Sequence, residues 1–131
     1  MDDKMKNIIE FIKNPDNDSG YKIFLANGDI YKEFSEKKGG TQIRKFYDIV
    51  VKINEKSKDV KTAKAQLSMV MPIAYYSKER KSEGAPLLDE QFYCFIKESI
   101  DALMPYDGEK FSNGLKAFRE VFQAVIAYTK K

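Results

Sequence analysis

This 131-residue chain contains no histidine and no tryptophan, and it has a single cysteine. Without histidine it lacks both the commonest general base and the commonest metal ligand among side chains. The acidic pairs Asp2/Asp3, Asp16/Asp18 and Asp89/Glu90 are more typical of loops and helix starts than of metal sites. These absences argue against an enzyme and predict that the chain needs neither a cofactor nor a metal.

The lone Cys94 allows no disulfide framework, so we expect a buried thiol in a reducing compartment, the cytoplasm. No apolar run approaches the roughly 18 residues that cross a bilayer. The N-terminus, Met1-Asp2-Asp3-Lys4, opens with two acidic residues where a signal peptide would be basic and lead into an apolar stretch. We therefore expect a cytoplasmic protein with no membrane association.

The chain does contain enough apolar material for one core. It is 43% hydrophobic, with eight tyrosines and nine phenylalanines, and is too short for two ordinary domains. Its net charge is only +3 although 33% of its residues are charged. A single domain spanning residues 1–131 is predicted, and any nucleic-acid binding would have to depend on a local basic face.

Apolar residues recur at helical spacing along most of the sequence and predict an all-α bundle of five to six helices. Pro72 lies within one of these helices and should bend it, because proline lacks the N–H of the helical ladder. The residues from Ser82 to Pro86 are predicted to form a loop. The predicted helices are Asp3 to Lys13, Asp29 to Lys38, Gln42 to about Lys56, Val60 to Lys81, a helix with a core face from Leu88 to Leu103, and a last helix capped by Asp107 or Ser112.

The segment from Tyr21 to Phe34 permits two interpretations. Asn27-Gly28 is a favoured two-residue hairpin turn between two apolar runs. An isolated two-stranded ribbon is only marginally stable, however, and the second run also fits a helix that Gly39 would end. We therefore predict the helix from Asp29 to Lys38 and leave the conformation of Tyr21 to Ala26 open.

The segment 37–47 places four cations, Lys37, Lys38, Arg44 and Lys45, around the start of a helix that Thr41 would cap. A helix start carries roughly half a positive charge and free backbone N–H groups. Cations in its first turn are therefore unfavourable unless an anion joins them. Phosphate is the anion that such sites commonly bind.

A second interpretation of this segment needs no ligand. Arg44 could pair with Asp48 one turn further on, and Lys45 could simply be solvated. Lys37 and Lys38 would then occupy the C-terminal end of the preceding helix, where cations are favourable. The local pattern alone does not decide between the two.

Three motifs resemble the small subunit of type III-A CRISPR effector complexes, the Csm complex, and the resemblance extends from about Gly39 to Lys131. Residues 1–38 align with nothing in that family and are interpreted as variable N-terminal helices, with 41–131 as the family-like helical core. The motifs are Thr41-Gln42-Ile43-Arg44-Lys45-Phe46-Tyr47, Met71-Pro72-Ile73-Ala74-Tyr75-Tyr76 followed by Lys78-Glu79-Arg80, and Phe118 to Tyr128 with Val125-Ile126-Ala127-Tyr128.

The resemblance implies an all-helical protein without catalytic activity. Several copies would stack into a minor filament along the inner side of the complex, beside the guide RNA and the target RNA. The implied protein partners are the large subunit, the repeat-type backbone subunit and other copies of this chain. Base pairing would recognise sequence, while the protein would bind the RNA backbone.

The resemblance also indicates which cations would contact RNA. Arg44 and Lys45 match the basic pair of the first motif, and Arg80 matches the arginine after the tyrosine-containing helix. Further cations are added because of their helical phase and local charge. The complete predicted RNA-binding set is Lys37, Lys38, Arg44, Lys45, Lys52, Lys78, Arg80 and Arg119.

Two other functions remain open from the sequence. A helical adaptor or homodimer could use exposed Tyr75 and Tyr76, together with the C-terminal helix, to bind only proteins. A DNA-binding domain could insert residues 41–56 into a major groove, although Gln42 is the only base-reading amide in the first turn.

Overall fold

The structure, a computed structural model, describes residues 3–15, 24, 40–82, 85–86 and 88–129. Within these ranges the chain is all-α, as predicted, apart from a minimal antiparallel pair of two-residue strands. The predicted helix from Asp29 to Lys38 lies outside the described residues. The elements are α1 (Asp3–Lys13), α2 (Gly40–Lys56), α3 (Val60–Glu79), β1 (Lys81–Ser82), β2 (Ala85–Pro86), α4 (Glu90–Leu103) and α5 (Gly108–Thr129).

The helix boundaries follow the prediction for α1 and differ slightly elsewhere. Helix α2 begins two residues before the predicted Gln42, so Thr41 lies inside the helix and is not its cap. Helix α5 begins directly after Asp107, whereas the alternative cap Ser112 lies within the helix. The predicted loop around residues 82–86 contains the β1/β2 pair.

Aspartates fix the start of two helices. The Asp59 carboxylate accepts a 2.7 Å hydrogen bond from the backbone N–H of Thr62 at the start of α3. That hydrogen bond holds the pKa of Asp59 below its usual value. At the start of α4, Asp89 accepts the N–H groups of Gln91 and Phe92 at 3.0 and 3.3 Å. Both side chains satisfy donors that have no partner within the helix.

The helices share one hydrophobic core, and an aromatic cluster lies at its centre. The ring of Phe122 on α5 is 5.3 Å from that of Phe92 and 5.5 Å from those of Phe95 and Tyr47. These contacts join α2, α4 and α5. Helix α1 packs against α4 and α5 on another side. The sequence prediction of Cys94 as a buried thiol is wrong, because its side chain is only partly buried.

Helices α2 and α3 form an antiparallel pair, since only residues 57–59 separate them. The Ser57 hydroxyl donates a 2.7 Å hydrogen bond to Gln66 Oε1 at this turn. Further along, Ile49 of α2 and Ile73 of α3 line the same groove. The pair therefore brings the first turns of α2 and the last turn of α3 to one end of the molecule.

Among the described helices, none is both long and apolar enough to cross a membrane.

Candidate nucleic-acid interface

Arg44 and Lys45 lie on the outer face of α2. Their neighbours Ile43 and Phe46 are buried in the core, and this helical phase turns both cations outward. Neither has an ion pair or a side-chain hydrogen bond among the residues that the structure describes. The alternative pair between Arg44 and Asp48 is therefore not formed. Two positive side chains are left available to an external anion.

The position of this pair along α2 differs from the prediction. Because the helix begins at Gly40, Arg44 and Lys45 fall in its second turn and not in its first. The effect of the helix dipole declines within the first turn, so the expected conflict with the dipole is weaker than the sequence suggested. The first turn contains no acidic residue. The case for an anion thus depends mainly on two exposed, unpaired cations.

Arg80 occupies the C-cap position of α3, directly after the last helical residue. It lies at the same end of the helix pair as Arg44 and Lys45. Its Nη1 donates a 3.2 Å hydrogen bond to the Tyr76 hydroxyl, and its guanidinium carbon lies 5.7 Å from the centre of that ring. No carboxylate pairs with it in the described part of the chain. Arg80 is therefore a third exposed positive charge at this end.

Lys78, also predicted as a site residue, makes several internal contacts. Its ammonium lies 3.2 Å from Glu79 Oε1 and 3.8 Å from Glu90 Oε2. It also lies over the rings of Tyr75 and Tyr93, at 5.1 and 4.8 Å from their centres. The hydrogen bond to Glu79 raises the pKa of Lys78 above its usual value. Lys78 thus stays charged at neutral pH, but two carboxylates offset much of that charge.

The remaining predicted cations are separated from this end. Arg119 on α5 contacts Glu55 at 3.0 Å and Asn54 at 3.1 Å, which places it beside the C-terminal part of α2. Lys52 is exposed further along α2, at the edge of a groove shared with α3. Lys37 and Lys38 lie outside the described residues. Of the predicted set, the structure brings Arg44, Lys45, Lys78 and Arg80 to one end and places Arg119 at the other.

The sequence suggested exposed Tyr75 and Tyr76, but not that an exposed apolar stripe extends along α3 to Met69. Met69 and Ile73 are 69% and 41% exposed, and Tyr75 and Tyr76 are 54% and 59% exposed. Met69, Ile73 and Tyr76 follow the spacing of one helical face, and this spacing was the available signal. Sequence periodicity alone does not distinguish an exposed apolar face from one that is buried in the core.

Metal binding has no support in the described ranges, because they contain no group of three or more acidic or cysteine side chains that could hold a metal ion. The exposed chemistry there consists of cations, tyrosines and apolar side chains. These groups suit contacts with polyanions and with protein surfaces. The fold and this surface define a small helical protein equipped for binding.

The family of the chain follows from a comparison of its sequence with protein families. The model of the Csm2 Type III-A family matches residues 20–131, and the chain belongs to this family. It is therefore the small subunit of a type III-A Csm effector complex, and it associates with other subunits of that complex. No curated protein and no solved structure matches it. The expectation that residues 1–38 align with nothing in this family is wrong for residues 20–38, which the family model covers.

Proposed function

We propose that this chain is a non-catalytic subunit that binds the backbones of the guide RNA and target RNA without reading their sequence. Copies of it would form the inner, minor filament of the complex and contact the large subunit and the repeat-type backbone subunit. The observation that supports RNA binding most directly is the exposed pair Arg44 and Lys45, which lacks an acidic partner among the described residues.

Unpaired surface cations favour polyanions for a physical reason. RNA holds condensed counterions, and each phosphate that a protein cation neutralises releases one of them. An arginine already paired with a carboxylate would first have to give up that partner. Contacts with phosphate position a strand but carry no sequence information, which fits recognition by base pairing within the guide.

The structure supports an order of importance within the predicted set. Arg44, Lys45 and Arg80 combine exposure with the absence of a carboxylate partner in the described chain, and we assign them the main contacts with phosphate. Lys78 and Arg119 would have to exchange carboxylate contacts for phosphate, so their contribution should be smaller. Lys37 and Lys38 stay in the proposed set because they flank the same segment of sequence.

The direct test is the double substitution Arg44→Ala/Lys45→Ala in the assembled complex. The matched control is Lys58→Ala/Lys61→Ala, which removes the same charge from exposed positions at the opposite end of the α2–α3 pair. We expect the affinity for target RNA to fall at least about tenfold for the first variant, which is about 1.4 kcal/mol. The control should change it less than about twofold.

Equal RNA affinity for both variants, with unchanged helical content, would contradict the proposal. That result would favour the alternative function, a helical adaptor that binds only proteins. The exposed Tyr75 and Tyr76 on α3 are the observation that favours this alternative.

A further inference from the structure

Tyr76 and Arg80 contact each other on the surface at the C-terminal end of α3. Tyr76 is 59% exposed, and its hydroxyl accepts a 3.2 Å hydrogen bond from Arg80 Nη1. The guanidinium carbon lies 5.7 Å from the centre of the ring. One helical turn separates the two residues, so the contact restrains a large ring that is mainly exposed to solvent. A restrained, exposed ring is suited to stack against another flat group.

Lys45 lies across the helix pair from Tyr76. Ile49 of α2 and Ile73 of α3 line one groove between the two helices. Lys45 precedes Ile49 by one turn and Tyr76 follows Ile73 by one turn, so each lies on the groove side of its helix. Because the helices are antiparallel, one turn back along α2 and one turn forward along α3 lead to the same end. Lys45 and Tyr76 therefore occupy facing edges at that end.

Two unpaired cations flank Tyr76. Lys45 and Arg80 are both exposed, and neither forms an ion pair with a carboxylate in the described ranges. The acidic neighbour Glu79 pairs with Lys78 at 3.2 Å. An exposed ring between two cations favours a ligand that combines a flat group with negative charge. A nucleotide of RNA has this combination in its base and its phosphate, and proteins bind single strands through such surfaces.

We propose that Lys45, Tyr76 and Arg80 form a subsite for one unpaired nucleotide of RNA. The ring of Tyr76 would stack on the base, and the two cations would contact the phosphates on either side of it. A base inside the guide–target duplex has both faces covered by its neighbours, so the nucleotide would lie outside the duplex. Stacking accepts any base, so binding stays independent of sequence. Such a subsite rests on the proposed RNA binding and adds a contact with a base to the contacts with phosphate.

Tyr75 provides a matched control within the same helix. It is 54% exposed, close to the value for Tyr76, but it lies on another side of α3. Its ring centre is 6.3 Å from that of Tyr93 on α4, and the ammonium of Lys78 lies 5.1 Å from it. Tyr75 is therefore engaged with its own chain, on the side of α3 that faces α4.

The first experiment removes the ring of Tyr76 without changing the charge of the protein. Tyr76→Ala, Tyr76→Phe and the control Tyr75→Ala are each assembled into the complex. The affinity for target RNA and the amount of guide RNA bound per complex are measured. We expect Tyr76→Ala to lower one of these at least about fivefold, as the loss of a ring that stacks on a base usually does. Tyr76→Phe keeps the ring, so it and the control should stay within about twofold of the parent.

Salt dependence separates the stacking contact from the phosphate contacts. Tyr76 carries no charge, so Tyr76→Ala should leave the slope of log affinity against log salt unchanged, whereas Arg44→Ala/Lys45→Ala should make it shallower. A shallower slope for the double variant together with normal RNA binding by Tyr76→Ala would overturn the stacking contact alone. A loss for Tyr76→Phe as large as that for Tyr76→Ala would also overturn it, because the ring would not be the group that matters.

The second experiment locates the base. The parent complex with bound target RNA is irradiated with ultraviolet light, which joins stacked bases to aromatic side chains, and the adducts are mapped by mass spectrometry. We expect a nucleotide adduct on Tyr76 and none on Tyr75, and the attached sequence shows whether the guide or the target supplies the base. An absence of RNA adducts on Tyr76, or a link from Tyr76 only to protein, would overturn the subsite.

Discussion

At the scale of single residues, Asp89 illustrates how one side chain sets a helix start. Its carboxylate accepts two backbone N–H groups that have no partner inside α4. We expect Asp89→Ala to lower the free energy of unfolding by about 1 kcal/mol. Asp89→Asn, which keeps an acceptor oxygen, should lose less. Urea denaturation monitored by circular dichroism measures both, and an alanine variant as stable as the parent would contradict the capping role.

Gly114 on α5 lies where this helix packs closely against Leu103 of α4 and Ile12 of α1. A Cβ at this position would overlap the Leu103 side chain and lie 3.1 Å from the carbonyl oxygen of Ile12. Alanine normally stabilises a helix interior by about 0.5 to 1 kcal/mol relative to glycine. Here we expect Gly114→Ala to destabilise the protein by about 1 to 3 kcal/mol, because α1 and α4 would have to move.

The control for this prediction is Asn113→Ala at the neighbouring exposed position, where the substitution should raise stability by a few tenths of a kcal/mol. If Gly114→Ala raised the thermal unfolding temperature by a similar amount, α5 would not pack as closely against α1 and α4 as described.

Single-residue roles could be predicted from sequence only where they depend on local neighbours. The outward direction of Arg44 and Lys45 follows from the buried Ile43 and Phe46 on either side of them. The contact of Arg119 with Glu55 joins residues that are far apart in sequence. Periodicity carries no information about such a pair, so Arg119 could not be recognised as an internal contact beforehand.

At the scale of elements, helix type was predictable because most of the helices have a regular apolar face. The first turn of α2 was placed two residues late, because threonine and glycine are about equally favourable as helix caps and the sequence does not choose between Thr41 and the glycines before it. The extension of the exposed apolar face of α3 to Met69 and Ile73 was missed for a different reason. These residues recur at helical spacing, but periodicity does not tell an exposed apolar face from one that is buried in the core.

Pro72 provides an element-scale prediction for α3. It lies inside the helix and cannot donate to the carbonyl of Ser68 four residues earlier. Pro72→Ala would restore that donor. The substitution also raises the conformational entropy of the unfolded chain, which offsets part of the gain. We expect a net gain in stability of up to about 2 kcal/mol. Denaturant midpoints would measure it; a loss of stability would mean that proline is required for the path of α3 across the core.

At the scale of the whole molecule, the sequence alone could not predict which cations lie at the same end of the helix pair. The short turn between α2 and α3 places Arg80 at the same end as Arg44, although 36 positions separate them in the sequence numbering. The packing of α5 against α2 places Arg119 at the other end. The family could be recognised from local motifs, whereas the grouping of charges depends on how the helices pack.

Salt dependence is the sharpest test of whether Arg44 and Lys45 contact RNA phosphates. The affinity of the assembled complex for target RNA is measured over a range of salt concentrations for the parent, for Arg44→Ala/Lys45→Ala and for the Lys58→Ala/Lys61→Ala control. Each lost contact with single-stranded phosphate should reduce the slope of log affinity against log salt by about 0.7. We expect a shallower slope for the first variant only; parallel lines for all three proteins would mean that Arg44 and Lys45 do not contact RNA phosphates.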